Sequence, residues 1–155
     1  MAGVYGNTFN YLADSAGTTL NGVAKTASFD SEWIDIGAAD IFGFIVVATV
    51  TGTSPTLDID VEATPDGGTT VYDYPAFLNV EAGDSAESGI ASAGIADFAQ
   101  ITATGNTAKF FPAFLPDGAS GGLNPQVRLE CTIGGTNPSF TLTIFKVLKN
   151  ANLVV

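Results

Sequence analysis

Apolar and polar residues alternate with a period of two along several stretches of this 155-residue chain. Leu57, Ile59 and Val61 alternate with Asp58, Asp60 and Glu62, while Val127, Leu129, Cys131 and Ile133 alternate with Arg128, Glu130 and Thr132. Successive side chains of a strand point to opposite faces, so each stretch predicts a strand with one face in the core and one in solvent. Phe140, Leu142 and Ile144 predict a further inward face, and the same alternation puts Phe145 and Val147 outside. Phe42 to Thr51 is almost wholly apolar and β-branched, which predicts a central strand covered on both faces. No stretch carries the 3.6-residue period of an amphipathic helix, so the fold class is all-β.

One pattern occurs twice. Thr49 to Asp60 and Thr132 to Thr143 align without a gap, sharing Thr49/Thr132, Gly52/Gly135, Thr53/Thr136 and Pro55/Pro138. The glycines tolerate positive φ, Ser54 and Asn137 hydrogen-bond local backbone, and proline fixes φ where the next strand starts, so each copy predicts a hairpin. Two short strands are expected around Asp30 and Ser31, a short one over 69–73, and a hairpin from Phe98 to Phe111 around Gly105-Asn106. Residues 1–23 form an N-terminal arm rich in glycine and aromatics, which either packs back on its own domain or lies across a neighbour. The domain itself spans 24–150, with a small, polar, patternless insertion near 78–97, and 151–155 form an apolar tail. The strand signals predict a single β-sandwich of about eight strands, of jelly-roll or related Greek-key type.

Composition adds exclusions. Sixteen acids against five bases give a net charge of −11, and Lys25, Lys109, Arg128, Lys146 and Lys149 are too few and scattered to track a phosphate backbone. Nucleic acid is excluded on that ground, an anionic lipid surface is disfavoured by the same sign, and no run of 18 apolar residues is present to span a bilayer. The single cysteine, Cys131, lies on an inward face and reads as a small buried hydrophobe, consistent with synthesis in a reducing compartment. The first residues lack the basic and apolar regions of a signal peptide.

Candidate chemistry is sparse. Asp58, Asp60 and Glu62 share one strand face about 7 Å apart. A calcium site needs six to eight oxygens wrapped by a loop, and a glycosidase needs a cleft with one raised carboxyl, so neither a metal nor catalysis is expected there. The chain has no histidine, and no Ser-His, Cys-His, HExxH or phosphate-cradling loop is present; no enzyme and no cofactor are expected. Trp33, the only indole, reads as core. The apolar knot Phe110-Phe-Pro-Ala-Phe-Leu-Pro116 is either a buried loop anchor or an oligomer contact.

Thr51-Gly-Thr-Ser-Pro-Thr-Leu-Asp-Ile59, Glu62-Ala-Thr-Pro-Asp-Gly67, Phe98-Ala-Gln100 and Val127-Arg128 with Thr132-Ile-Gly-Gly-Thr-Asn-Pro-Ser-Phe140 together resemble small virion proteins of tailed bacteriophages. The similarity covers roughly 41–147, and some members of that group decorate or cement capsids. It implies a β-sandwich on the outer capsid surface that bridges major capsid protein subunits as a homotrimer. Val4, Tyr5, Phe9 and Tyr11 of the arm and Phe111, Phe114 and Leu115 of the knot are the expected partner-binding residues. The alternative is a carbohydrate- or receptor-binding module of a phage fibre or tail, with Trp33, Tyr72 and Tyr74 as its platform if they cluster in one groove.

Overall fold

Two very long strands, paired to each other from end to end, form the spine of the molecule. The computed structural model describes residues 5–37, 39–74, 97–113 and 125–151. In chain order the strands are β1 (Tyr5–Tyr11), β2 (Asn21–Lys25), β3 (Phe29–Asp30), β4 (Ile34–Asp35), β5 (Ile41–Thr64), β6 (Tyr72–Asp73), β7 (Asp97–Ile101), β8 (Gly105–Pro112) and β9 (Gln126–Ala151). They make one antiparallel, nine-stranded sheet, and no helix occurs among the described residues. The β5–β9 ladder runs from Ile41↔Lys149 to Thr64↔Gln126. Strands β1 to β4 line the edge of β9 that faces away from β5, and β6, β7 and β8 line the edge of β5 that faces away from β9.

The two repeated motifs are not hairpins. They are the corner at which β5 and β9 bend together, lying opposite one another, with Thr53 paired to Thr136. Register slips once on each side of that pair, because β9 carries an extra residue between Thr136 and Ser139, and β5 carries one between Thr53 and Thr56. Each bulge moves its strand's inward set by one residue. In β5 the buried positions are Phe42, Phe44, Val46 and Ala48 before the corner and Leu57, Ile59, Val61 and Ala63 after it. In β9 they are Val127, Leu129 and Cys131 before it and Phe140, Leu142 and Ile144 after it. The sheet thus folds over itself, and both halves feed one core, as in a sandwich. Tyr74 ties the halves, its N–H donating to the Val61 carbonyl (2.7 Å) while its ring meets Phe42 and Phe111 edge-on.

Glycine is required at the corner. Gly52 (φ 120°) and Gly135 (φ 106°) occupy equivalent positions, and so do the left-handed Ser54 (φ 47°) and Asn137 (φ 49°). A Cβ on Gly52 would lie 2.7 Å from the Asn137 carbonyl oxygen, and one on Gly135 would lie 2.5 Å from that of Ser54. Each copy leaves room for the other.

Among the described residues this reciprocity extends to the strands that flank β5 and β9. The alignment maps each residue onto the one 83 positions later (132 − 49). Under that shift Leu57–Asp60, which β7 pairs, map onto 140–143, which β2 pairs. The β8-paired half of β5 maps onto the part of β9 that carries β3 and β4, and β6 on the end of β5 matches β1 on the end of β9. The described strands form a tandem pseudo-repeat about an axis that passes between Thr53 and Thr136.

Two further expectations change, and for the arm one of the two alternatives is met. Strand 42–51 is central, between β8 and β9, but only one face is covered: Ile41 and Val47 are exposed outside. Residues 98–111 are not a hairpin, since β7 and β8 each pair with β5, on opposite sides of its corner. The described part of the arm, from Tyr5, is built into the same sheet by β1 and β2. The insertion up to residue 96, and residues 152–155 of the tail, lie outside the described residues.

Candidate functional site: two opposed sheet faces

Cross-strand pairing sets the side chains on each outer face. On the half-sheet made by β1, β9, β5 and β8, one row reads Phe9–Val147–Gly43–Phe110 and the next Tyr11–Phe145–Ile45–Ala108, followed by Thr143–Val47–Asn106. Phe145 stacks between Phe9 (centroids 4.7 Å apart) and Tyr11 (4.8 Å). The Phe110 ring lies over Gly43, where a Cβ would run into it and come within 2.6 Å of the Lys109 carbonyl oxygen. Seven large hydrophobic side chains are exposed among the described residues, and five of them, Phe9, Tyr11, Ile41, Val47 and Phe110, lie on this face. These rows contain no carboxylate.

The other half-sheet is the reverse. Its rows bring Gln100, Asp58 and Thr132 together, then Asp60, Glu130 and Asp30, then Asp73, Glu62 and Arg128. Arg128 is its organising cation: Nε donates to Glu62 (2.6 Å), Nη1 pairs with Asp30 (2.9 Å), and the guanidinium lies 4.6 Å from the centre of the Trp33 ring. Gln100 donates to Asp58 (2.6 Å). Glu130 sits opposite two acids, and partial burial, then Glu62 and Asp30, push its carboxyl above the usual range. Among the described residues no group of acids is arranged to hold a metal ion.

The pseudo-repeat makes the contrast informative. Asp58, Asp60 and Glu62 map onto Thr141, Thr143 and Phe145, while Ile45 and Val47 map onto Arg128 and Glu130. Equivalent backbone positions carry charged groups on one face and uncharged ones on the other, threonine matching Asp58 and Asp60 and apolar side chains matching Glu62, Arg128 and Glu130. Strand geometry is common to both, so the difference lies in the side chains alone and not in the backbone that presents them.

The expected partner-binding residues divide accordingly. Phe9 and Tyr11 lie on the apolar face, 54% and 44% exposed. Phe111 does not: it is 5% exposed and stacks on Phe42 (5.2 Å) inside the core, so its assignment to a seam is corrected. The reason is strand phase. Phe111 pairs with Phe42 and Phe110 with Gly43, which turns Phe110 outward at 54% exposure. Phe110, Ile45, Val47, Phe145 and Val147 are the face residues missing from the sequence-based site. Tyr5 is the first residue of β1, and Val4, Phe114 and Leu115 lie outside the described residues. Cys131 is buried as expected, and desolvation drives its thiol far above the normal range.

The proposed sugar platform is dispersed. Tyr74 is in the core, Trp33 is half-buried against Arg128, and Tyr72 stands exposed on β6. They do not share a groove.

No protein-family model and no curated protein matches the chain. Among solved structures it is similar to a chain from infectious bursal disease virus (Gx strain), with a TM-score of 0.45 and 13% identity, covering 100% of this chain and 34% of that one. It is also similar to the CBM36-1 domain of a multidomain xylanase from the hindgut metagenome of Trinervitermes trinervoides (TM-score 0.43, 7% identity, 92% of this chain and 96% of that one). A third likeness is to dimeric latent PorU from Porphyromonas gingivalis (TM-score 0.44, 10% identity, 97% of this chain and 13% of that one). These likenesses are too distant to assign any role to the chain.

Proposed function

We propose that this chain is a non-enzymatic virion structural protein that decorates a bacteriophage capsid, seating the apolar face of β1, β9, β5 and β8 on major capsid protein subunits and turning the acidic face to solvent. The observation that carries this reading is the split between pseudo-equivalent faces, one carboxylate-free and studded with exposed aromatics, the other dominated by acids. The phage assignment comes from the resemblance of the corner and strand motifs. A decorating protein needs a stable fold and an exposed apolar contact surface, and the shared core and the outward aromatics are consistent with both. The dispersal of Trp33, Tyr72 and Tyr74 counts against the carbohydrate-binding alternative.

The test is co-sedimentation with particles of the virus that encodes the chain, after the endogenous copies have been stripped. The wild type and Tyr72→Ser are expected to rebind, and Phe110→Asp together with Phe9→Asp to stay in the supernatant while unfolding at the wild-type temperature. Equal rebinding by the double variant would overturn the assignment of the docking face.

A further inference from the structure

We infer that β1 is a pairing edge through which two copies of the chain join, antiparallel about a two-fold axis near Thr8, into one continuous sheet. This goes beyond the virion reading and does not depend on it.

An open strand edge offers unpaired N–H and C=O groups to any other strand, and soluble proteins guard such edges with charge, proline, bulges or brevity. The other edges of this sheet are guarded. β8 carries Lys109 and ends at Pro112, and β2 carries Lys25, a register shift and a left-handed Gly22. β3, β4 and β6 are two residues long, each with an aspartate, and β7 opens on Asp97. β1, Tyr-Gly-Asn-Thr-Phe-Asn-Tyr, has seven residues with no charge, no proline and an unbroken register against β9. Among the described residues no strand pairs with its outer side.

Backbone geometry states which groups are available. Leu12 N–H donates to the Ile144 carbonyl in the same register that pairs Tyr11 with Phe145. Alternation then turns the backbone groups of Gly6, Thr8 and Asn10 toward β9, and those of Tyr5, Asn7, Phe9 and Tyr11 toward the open edge.

Charge selects the occupant. Two copies of a chain with net charge −11 repel unless they meet where acids are absent. Residues 5–11 contain no acid, and neither do residues 145–151 of β9 beside them, whose charged members are Lys146 and Lys149. A neutral strand is also self-complementary, so a second copy pairs with it isologously without opposing like charges. The union would place the Phe9–Phe145–Tyr11 stacks of both copies side by side, doubling the apolar face across the axis while the acidic faces stay on the opposite side of each sandwich.

Light scattering of the full chain across a dilution series should give twice the 15.8 kDa mass at high concentration, falling to one chain on dilution. Asn7→Pro removes only an outward N–H and should raise the dimer dissociation constant by roughly tenfold or more with unchanged circular dichroism. If that variant does not fold, Phe9→Lys replaces it, and hydrogen exchange of the wild type gives a second readout. The amides of Asn7, Phe9 and Tyr11 should be protected in the concentrated sample and exchange rapidly in the dilute one. A monomer at all concentrations, a trimer, a dimer that Asn7→Pro or Phe9→Lys leaves intact, or β1 amides protected only when the chain is on a particle would each overturn the inference.

Discussion

Single residues illustrate how the same chemistry serves opposite ends in the two halves. Asp14 is a buried carboxylate whose partners are all provided. Oδ2 meets Lys25 Nζ at 2.5 Å, and Oδ1 accepts the N–H groups of Ala16 (3.0 Å) and Thr18 (2.8 Å). The Lys25 hydrogen bond, then the Thr18 amide, hold its carboxyl below the usual range. A depressed folded pKa contributes stability that is fully present above the unfolded value, about 3.9, and is lost as pH falls through the folded one. Asp14→Asn should therefore cost about 2 kcal/mol at neutral pH, with a difference from the wild type that shrinks in acid, read by denaturant unfolding at several pH values. A constant difference down to the acid limit would contradict the assignment. Glu130 has the opposite sign: its carboxyl is raised by burial and by Glu62 and Asp30, so its contribution declines as pH rises.

At the scale of elements, the alternating faces were legible and the long-range pairing was not. Leu57, Ile59 and Val61 are buried and Asp58, Asp60 and Glu62 face outward, because a period of two is a local property of the strand. Gly-Thr-Ser/Asn-Pro has the turn chemistry of a reversal, so each copy taken alone reads as a hairpin. What makes it a corner is the other copy 83 residues away, against which Gly52 and Gly135 pack. Phe110-Phe111 was ambiguous for a related reason: two adjacent aromatics fit either phase, and only pairing with Phe42 and Gly43 decides which points inward. The site was thus half visible, in Phe9 and Tyr11, while its larger part on β5, β8 and β9 depended on strand order. The corner carries its own prediction. Gly52→Ala and Gly135→Ala each combine positive φ with a backbone clash, so both should lower stability by at least about 1 kcal/mol and by similar amounts, because the positions are pseudo-equivalent. Thermal unfolding checks this, and a neutral result at either glycine would contradict the reciprocal packing.

For the whole molecule, a duplicated architecture has been given two unlike surfaces. The core shared by both halves needs Phe, Leu, Ile and Val at inward positions on either side of the corner, and the chain provides them symmetrically. Outward positions are free of that demand, and there the halves diverge, acids collecting where Arg128 stands and aromatics where Phe145 stands. A sandwich with one wet face and one apolar face is suited to lying on a larger assembly. Four aromatic side chains provide an internally controlled probe: Phe9, Tyr11 and Phe110 on the apolar face are 54%, 44% and 54% exposed, and Tyr72 on the other half-sheet is 45% exposed. Hydroxyl-radical footprinting of the chain alone and on purified virus particles compares them directly. All four should be oxidised at comparable rates in the free chain at high dilution, and on particles Phe9, Tyr11 and Phe110 should be protected while Tyr72 remains reactive. Protection of Tyr72 with Phe9, Tyr11 and Phe110 left reactive would reverse the orientation and contradict docking through the apolar face.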